Sequence, residues 1–125
     1  MIDAVILIVE DNPLNLELAR DILEGAGYEV LSAMQAREGM RIARDEQPDL
    51  VLLDIRLPDL DGMQTVKLLK EDASTKDIPV VALTAQAMRG DEQQALAAGF
   101  DGYISKPIDT RNFAKTVAGY LNGQA

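Results

Sequence analysis

The chain has 125 residues, an apolar share of 47% and a formal net charge of −9. It contains no cysteine and no histidine, which excludes disulfides, thiolate metal sites and histidine as a general base or metal ligand. No apolar run approaches the roughly 20 residues of a membrane-spanning helix, and so acidic a chain repels nucleic acid and anionic membranes. We therefore expect one globular domain in the cytoplasm.

Apolar segments alternate with amphipathic segments along the whole chain. The first strand is predicted over 4–10, and the helix after it has Asn12 as its cap and an apolar stripe of Leu14, Leu18 and Ile22. The later strands are predicted at 28–33, 49–54, 79–84 and 101–106, and the later helices at 36–46, 63–72, 91–99 and 110–122. This alternation is typical of an α/β fold, in which helices cover both faces of a parallel sheet.

Chemically active side chains follow four of the five predicted strands. The first strand ends in Glu10 and Asp11, the third in Asp54, the fourth in Thr84 and the fifth in Lys106. Because the carboxyl ends of parallel strands lie along one edge of the sheet, where open α/β sheets bind their ligands, we expect these groups to meet in one pocket.

Three carboxylates in one pocket need a cation. Two carboxylates about 4 Å apart repel each other by roughly 4 kcal/mol at an effective dielectric constant of about 20. Mg²⁺ prefers oxygen ligands, and a softer metal would need the histidine or cysteine that this chain lacks. We predict an Mg²⁺ site, with Mn²⁺ as the alternative ion, in which Asp11, Asp54 and the backbone carbonyl of Arg56 bind directly and Glu10 binds through water.

Asp54 is the candidate nucleophile of this pocket. Carboxylates accept phosphoryl groups as acyl phosphates, and the transfer needs its equatorial oxygens neutralised. Lys106 and the metal ion are each expected to neutralise one oxygen, and the Thr84 hydroxyl with the Ala85 backbone N–H a third.

Four segments resemble, in order and spacing, the signature segments of response-regulator receiver domains: ILIVEDN, DLVLLDIRLPDLDG, PVVALTA and YISKP. The resemblance implies a flavodoxin-like (βα)5 three-layer sandwich, with a parallel five-stranded sheet in the order 2-1-3-4-5. It also implies one receiver domain over 1–125 without an output domain. The stretch LTAQAMRGDEQQALAAGFDGYISKPI is most similar to stand-alone receivers of the DivK type and to the receivers of hybrid histidine kinases.

The same resemblance implies a bacterial signalling protein rather than a classical enzyme. Asp54 would take its phosphoryl group from the phosphohistidine of a sensor kinase or phosphotransfer protein, and the chain, a monomer or weak dimer, would act on a downstream protein. Thr84 and Tyr103 would form a switch pair, and the Lys106–Pro107 peptide bond would be cis. Leu96 is the only large apolar residue of the predicted helix 91–99. We therefore expect this helix to be weakly packed and to move on phosphorylation, which would alter a partner-binding face made with the fifth strand and fifth helix.

Other assignments stay open at this point. The chain resembles the receiver segment of a hybrid histidine kinase as well. An Mg²⁺-dependent aspartyl-phosphate phosphatase usually has a second Asp two residues after its nucleophile, where this chain has Arg56. A flavodoxin-like carrier needs a glycine-rich phosphate loop instead of EDNPLN, and a nucleotide hydrolase needs a P-loop motif, which is absent. Asp59 and Asp61 are expected to be turn residues rather than ligands.

Overall fold

The computed structural model describes residues 4–84, 91–105 and 110–121, in which strands and helices alternate as predicted. The elements are β1 (Val5–Val9), α1 (Pro13–Gly25), β2 (Glu29–Ala33), α2 (Ala36–Glu46), β3 (Leu50–Asp54), α3 (Gly62–Glu71), β4 (Val80–Thr84), α4 (Asp91–Ala98), β5 (Gly102–Ser105) and α5 (Phe113–Leu121). Within these ranges no helix combines the length and the apolar character that crossing a membrane requires.

All five strands of this sheet are parallel, and their order is β2-β1-β3-β4-β5. This confirms the predicted flavodoxin-like arrangement. The chain runs outward from β1 to β2 and then returns to β3 on the other side of β1, so the strand order reverses at β1. Val9 of β1 is in register with Leu53 of β3. The next residues along these two strands are Glu10 and Asp54, which places both carboxylates at the switch point of the sheet.

The core consists of two apolar layers, one on each face of the sheet. Alternate residues of a strand point to opposite faces, and β3 and β4 are buried along their whole length because both of their faces are covered. Residues of α2, α3 and α4 complete one layer, and residues of α1 and α5 the other. The buried helical residues are Ala43, Val66, Leu69 and Ala95 in the first layer, and Ala19, Leu23, Phe113 and Val117 in the second.

The predicted apolar stripe of α1 is wrong at Leu14 and Leu18 and right at Ile22, which packs against the buried cluster that contains Leu23. Leu14 is 75% exposed and Leu18 is 39% exposed, whereas Ala19 and Leu23 are the buried residues of this helix. Helix α1 carries apolar residues on more than one side, so its periodicity fits two stripes. The packing against the sheet selects the one that contains Leu23.

Helix α2 has the predicted bounds, whereas the ends of α3 and α4 differ from the predicted ones by one residue and the start of α5 by three. Helix α3 begins at Gly62 because the Asp61 side chain accepts a hydrogen bond from the Met63 N–H at 2.7 Å and so caps it. Helix α5 begins at Phe113 and not at Thr110, because residues 110–112 form a turn.

A charged clamp lies at the amino-terminal rim of the sheet, opposite the strand ends that carry the carboxylates. The Lys70 ammonium donates to the Ile78 carbonyl at 2.9 Å and to Asp101 Oδ2 at 2.8 Å. The same Asp101 oxygen accepts from the Val80 N–H at 2.8 Å. The clamp joins the end of α3 to the starts of β4 and β5.

The Tyr120 side chain of α5 lies against the outer edge of β5. The Tyr120 hydroxyl accepts a hydrogen bond from the Tyr103 N–H at 3.3 Å, and the Tyr120 ring occupies the space that a side chain at position 102 would need. Position 102 is glycine, so the ring packs directly on the strand. An unpaired strand edge can pair with other chains, and this contact occupies one of the donors of that edge.

Candidate metal and phosphoryl site

Three carboxylates meet at the carboxyl ends of β1 and β3. One carboxylate oxygen from each of Glu10, Asp11 and Asp54 lies within 4.8 Å of the others. At that separation each pair repels by about 3.5 kcal/mol at an effective dielectric constant of about 20. The register between β1 and β3 produces this cluster, because it sets Glu10 beside Asp54.

The cluster is buried at its base and open at its mouth. Glu10 is 1% exposed and Asp54 is 5% exposed, while Asp11 is exposed to solvent. Charges are costly to hold this deep in a protein unless hydrogen bonds or a counter-ion compensate them. The arrangement therefore favours an ion that enters from the solvent side and binds against the two buried carboxylates.

Backbone donors orient the two buried carboxylates. Glu10 Oε2 accepts a hydrogen bond from the Asn12 N–H at 3.1 Å, and Asp54 Oδ1 accepts one from the Arg56 N–H at 2.9 Å. Asn12 also caps α1, as predicted, since its Oδ1 accepts from the N–H groups of Leu14 and Asn15. The start of α1 and the loop after β3 thus hold the side chains of the site in place.

Gly62 lies directly against the backbone of Asp54. A Cβ at this position would stand 2.6 Å from Ile55 Cα and 2.8 Å from the Asp54 carbonyl oxygen. The Gly62 N–H donates to the Ile55 carbonyl at 2.8 Å, which closes the loop between β3 and α3. At Gly62 the two ends of the loop between β3 and α3 are in van der Waals contact with each other. Only glycine leaves enough room for this contact.

Asp59 has a role that its interpretation as a turn residue missed. Its oxygens accept hydrogen bonds from the N–H groups of Ala36 at 2.8 Å and Arg37 at 3.0 Å, so it caps α2 from a distant part of the chain. Gln35, at the local cap position, makes no side-chain cap bond. The absence of a good capping residue before α2 was the signal in the sequence, because an uncapped helix start needs a partner from elsewhere.

These contacts change the acidity of Asp59. Partial burial tends to raise the pKa of its carboxyl, but the hydrogen bonds from the α2 backbone and the Arg37 guanidinium 3.9 Å away outweigh that effect and hold the pKa below its usual range. The carboxylate form of Asp59 is therefore the form that caps α2.

Thr84 and Tyr103 lie on neighbouring strands and on the same face of the sheet. Thr84 is the last residue of β4 and is buried; Tyr103 is half-buried in β5 and in register with Ala82. Two residues along a strand return to the same face, so both side chains lie on the side that α4 covers. Of the other predicted site residues, Ala85, Lys106 and Pro107 lie outside the described residues, as does the loop before α4.

The residues present fit a hard divalent cation. The donors are carboxylate oxygens, which Mg²⁺ and Mn²⁺ prefer, and the pocket is open to water, which Mg²⁺ retains in part of its coordination shell. The positive charge of such an ion offsets the repulsion among the three carboxylates.

The fold and this acidic pocket define a flavodoxin-like α/β domain with a candidate site for a divalent cation. The chain belongs to the response regulator receiver domain family, whose model matches residues 6–118. Receiver domains of this family serve two-component signalling and are not classical enzymes.

Individual relatives agree with this membership. The chain is 45% identical over 116 residues, 93% of its own length and 94% of the relative's, to the polar-differentiation response regulator DivK of Brucella ovis. Its structure is similar, with a TM-score of 0.87 and 32% identity, to a CheY-like response regulator receiver domain protein of Methanospirillum hungatei JF-1, covering 97% of this chain and 95% of that one. It is also similar, with a TM-score of 0.88 and 30% identity, to the receiver domain of the sensor histidine kinase PA1611 of Pseudomonas aeruginosa PAO1, covering 97% and 99%; that structure has a magnesium ion coordinated in its active site cleft.

Proposed function

We propose that the chain is a phosphoacceptor of two-component signalling and that Asp54 takes its phosphoryl group from the phosphohistidine of a histidine kinase or phosphotransfer protein. The observation that carries this proposal is the meeting of Glu10, Asp11 and Asp54 at the switch point of the sheet. The similarity to DivK over almost the whole chain supports a stand-alone regulator. The similarity to a kinase receiver domain keeps a hybrid-kinase segment as the alternative. In either case residues 1–125 would act as one receiver domain.

In the proposed phosphoryl transfer, Asp54 is the nucleophile and the Arg56 N–H orients it. An Asp54 carboxylate oxygen attacks the phosphorus, an O–P bond forms, and the P–N bond to the donor histidine breaks with its electron pair passing to the imidazole. The Arg56 N–H holds Asp54 through its Oδ1, so that the side chain does not rotate away from the incoming group.

The proposed metal site uses the acidic cluster and one backbone carbonyl. Asp11, Asp54 and the Arg56 carbonyl would bind Mg²⁺ directly, and the buried Glu10 through a water molecule. A bound Mg²⁺ supplies charge neutralisation at a phosphoryl oxygen. Thr84 and Ala85 would donate hydrogen bonds to a second phosphoryl oxygen, and the Lys106 ammonium would pair with a third.

We infer that phosphorylation is read out on the face made by α4, β5 and α5. Thr84 turns toward the phosphoryl group, and Tyr103 fills the space that Thr84 leaves on the same face of the sheet. Helix α4 suits such a movement, because Ala95 is its buried anchor within 93–98 and Leu96 is 48% exposed. Elements with little buried apolar surface open at low free-energy cost.

The phosphoacceptor role is tested with acetyl phosphate as donor, with and without Mg²⁺, by mass spectrometry of the intact chain. We expect one added phosphoryl group that requires the cation and is lost in Asp54→Asn. Asp49→Asn is the matched control: Asp49 directly precedes the other end of the same strand and accepts a hydrogen bond from the Val5 N–H at 2.8 Å. Phosphate on another residue, or the same yield in Asp54→Asn, overturns the proposal. Repeated turnover of the donor without a phosphorylated chain would indicate a phosphatase.

The readout face is tested by amide hydrogen exchange on the same samples. We expect faster exchange in α4 and β5 in the phosphorylated chain than in the unphosphorylated one, with the Lys70 clamp region unchanged as an internal reference. Equal exchange in α4 and β5 in the two states contradicts the proposed movement.

A further inference from the structure

Asp59 joins the middle of the loop between β3 and α3 to a third element, helix α2. The first half of the loop is held separately, because the Ile55 N–H donates to the Leu83 carbonyl of β4 at 3.1 Å and Leu57 packs against the core. The loop begins at Asp54, passes through Arg56 and returns at Gly62. Its two ends are fixed by β3 and by the hydrogen bond between Gly62 and Ile55. Between these ends, Asp59 accepts two hydrogen bonds from N–H groups at the start of α2, and these hold the middle of the loop.

The contact matters to both partners. Helix α2 has Gln35 at its cap position without a side-chain cap bond, so the Asp59 carboxylate satisfies N–H groups that α2 itself leaves without an intrahelical partner. In return, the first turn of α2 holds Asp59 by two donors and by the Arg37 guanidinium at 3.9 Å. Helix α2 packs on β1 and β2 and is thus part of the rigid core.

We propose that Asp59 is a positioning residue for the metal site: by capping α2 it fixes the β3–α3 loop, and with it the Arg56 carbonyl and the Asp54 carboxylate. This inference rests on the proposed binding of Mg²⁺ by that loop. Arg56 stands between Asp54 and Asp59 in the chain, so a loop released at Asp59 loses one of the restraints that would keep the Arg56 carbonyl directed at the ion. Coupling between two contacts is reciprocal, so an occupied metal site also stabilises the start of α2.

The test compares Asp59→Ala and Asp59→Asn with the wild type. Asparagine keeps one carbonyl acceptor and so one of the two cap bonds, whereas alanine keeps neither. Gln47→Ala is the matched control, because it weakens the other end of α2: the Gln47 amide donates to the Ser74 carbonyl at 2.8 Å and to the Arg44 carbonyl at 3.2 Å. Mg²⁺ affinity is measured by chemical-shift titration of the unphosphorylated chain, and global stability by urea unfolding.

We expect Asp59→Ala to weaken Mg²⁺ binding at least about fivefold, the lower range of coupling between linked sites. Asp59→Asn should lie between Asp59→Ala and the wild type. Gln47→Ala should lose stability but keep its Mg²⁺ affinity. With acetyl phosphate, the rate in Asp59→Ala should fall at low Mg²⁺ and recover at saturating Mg²⁺, since the defect lies in binding the ion. A purely structural role would not produce this split.

The reciprocal measurement needs no variant. In the wild-type chain, the amide protons of Ala36 and Arg37 should exchange more slowly when Mg²⁺ is present. Wild-type affinity retained in Asp59→Ala, or an equal loss in Gln47→Ala, overturns this inference and leaves the proposed function standing. Failure of the wild type to bind Mg²⁺ overturns both.

Discussion

Replacing Gly62 with alanine should disturb the pocket because the new methyl group meets backbone and not flexible side chains. Its Cβ would stand 2.6 Å from Ile55 Cα and 2.8 Å from the Asp54 carbonyl oxygen. To reach the 3.4 Å of an ordinary contact, the backbone beside Asp54 must move by about 0.8 Å.

The size of the effect follows from two opposing terms. Alanine is more favourable than glycine inside a helix by about 1 kcal/mol, while forcing an extra methyl group into a packed site costs about 1–3 kcal/mol. We expect a net loss of up to about 2 kcal/mol in the free energy of unfolding. Because a displacement near 1 Å at a reacting group can cost on the order of 100-fold in rate, phosphorylation should slow by about tenfold or more.

The measurements are urea unfolding and the rate of phosphoryl incorporation from acetyl phosphate at saturating Mg²⁺. Gly25→Ala is the matched control, because nothing lies within 4 Å of a Cβ at that position at the end of α1. The control should keep its rate and should lose no stability, since alanine suits a helix at least as well as glycine does. If Gly62→Ala unfolds at the same urea concentration and accepts phosphate at the same rate as Gly25→Ala, the loop has more room than these contacts imply and the reasoning is refuted.

Three further outcomes are expected. The lowered pKa of Asp59 means that its contribution to stability is present above the ordinary carboxyl value of 3.8 and is lost as the pH falls through the lowered value. The free energy of unfolding should therefore fall less steeply with decreasing pH in Asp59→Asn than in the wild type, and the same pH dependence in both would contradict this. Tyr120→Phe removes the acceptor of the Tyr103 N–H but keeps the ring, so the free energy of unfolding measured in urea should fall by about 1 kcal/mol. A loss above about 3 kcal/mol would mean that the hydroxyl stabilises the fold by more than this one hydrogen bond. Lys70→Met breaks the clamp to Asp101 and should cost about 1–3 kcal/mol without changing the phosphorylation rate; a slower rate would show that the two rims of the sheet are coupled.

The order of the elements could be predicted because local patterns determine it. Continuous apolar runs between capped amphipathic segments are typical of parallel strands buried on both faces. The approach of Glu10 and Asp54 follows from the same reasoning, since two neighbouring parallel strands end at one edge. The chemical roles of these residues, and of Thr84 and Lys106, stay predictions.

Two features could not be predicted because tertiary contacts decide them. Leu14 and Leu23 are equally apolar, and only the way α1 lies on the sheet exposes the first and buries the second. The cap that Asp59 gives to α2 joins residues 22 and 23 positions apart. No local pattern specifies its partner, although the weak capping residue at Gln35 shows that a partner is needed.

The last residue of β3 and the loop after it together contain three aspartates, which should differ in how freely they can be exchanged. Asp54 is the proposed phosphoacceptor, and the amide of asparagine cannot replace its carboxylate as a nucleophile. Asp61 caps its own helix, where serine, threonine or asparagine serve nearly as well. Asp59 reaches across to another helix with both oxygens, so only a side chain of the same length with at least one acceptor can replace it. A saturation-mutagenesis library that covers Asp54, Asp59 and Asp61 should therefore give a different substitution profile at each of the three positions.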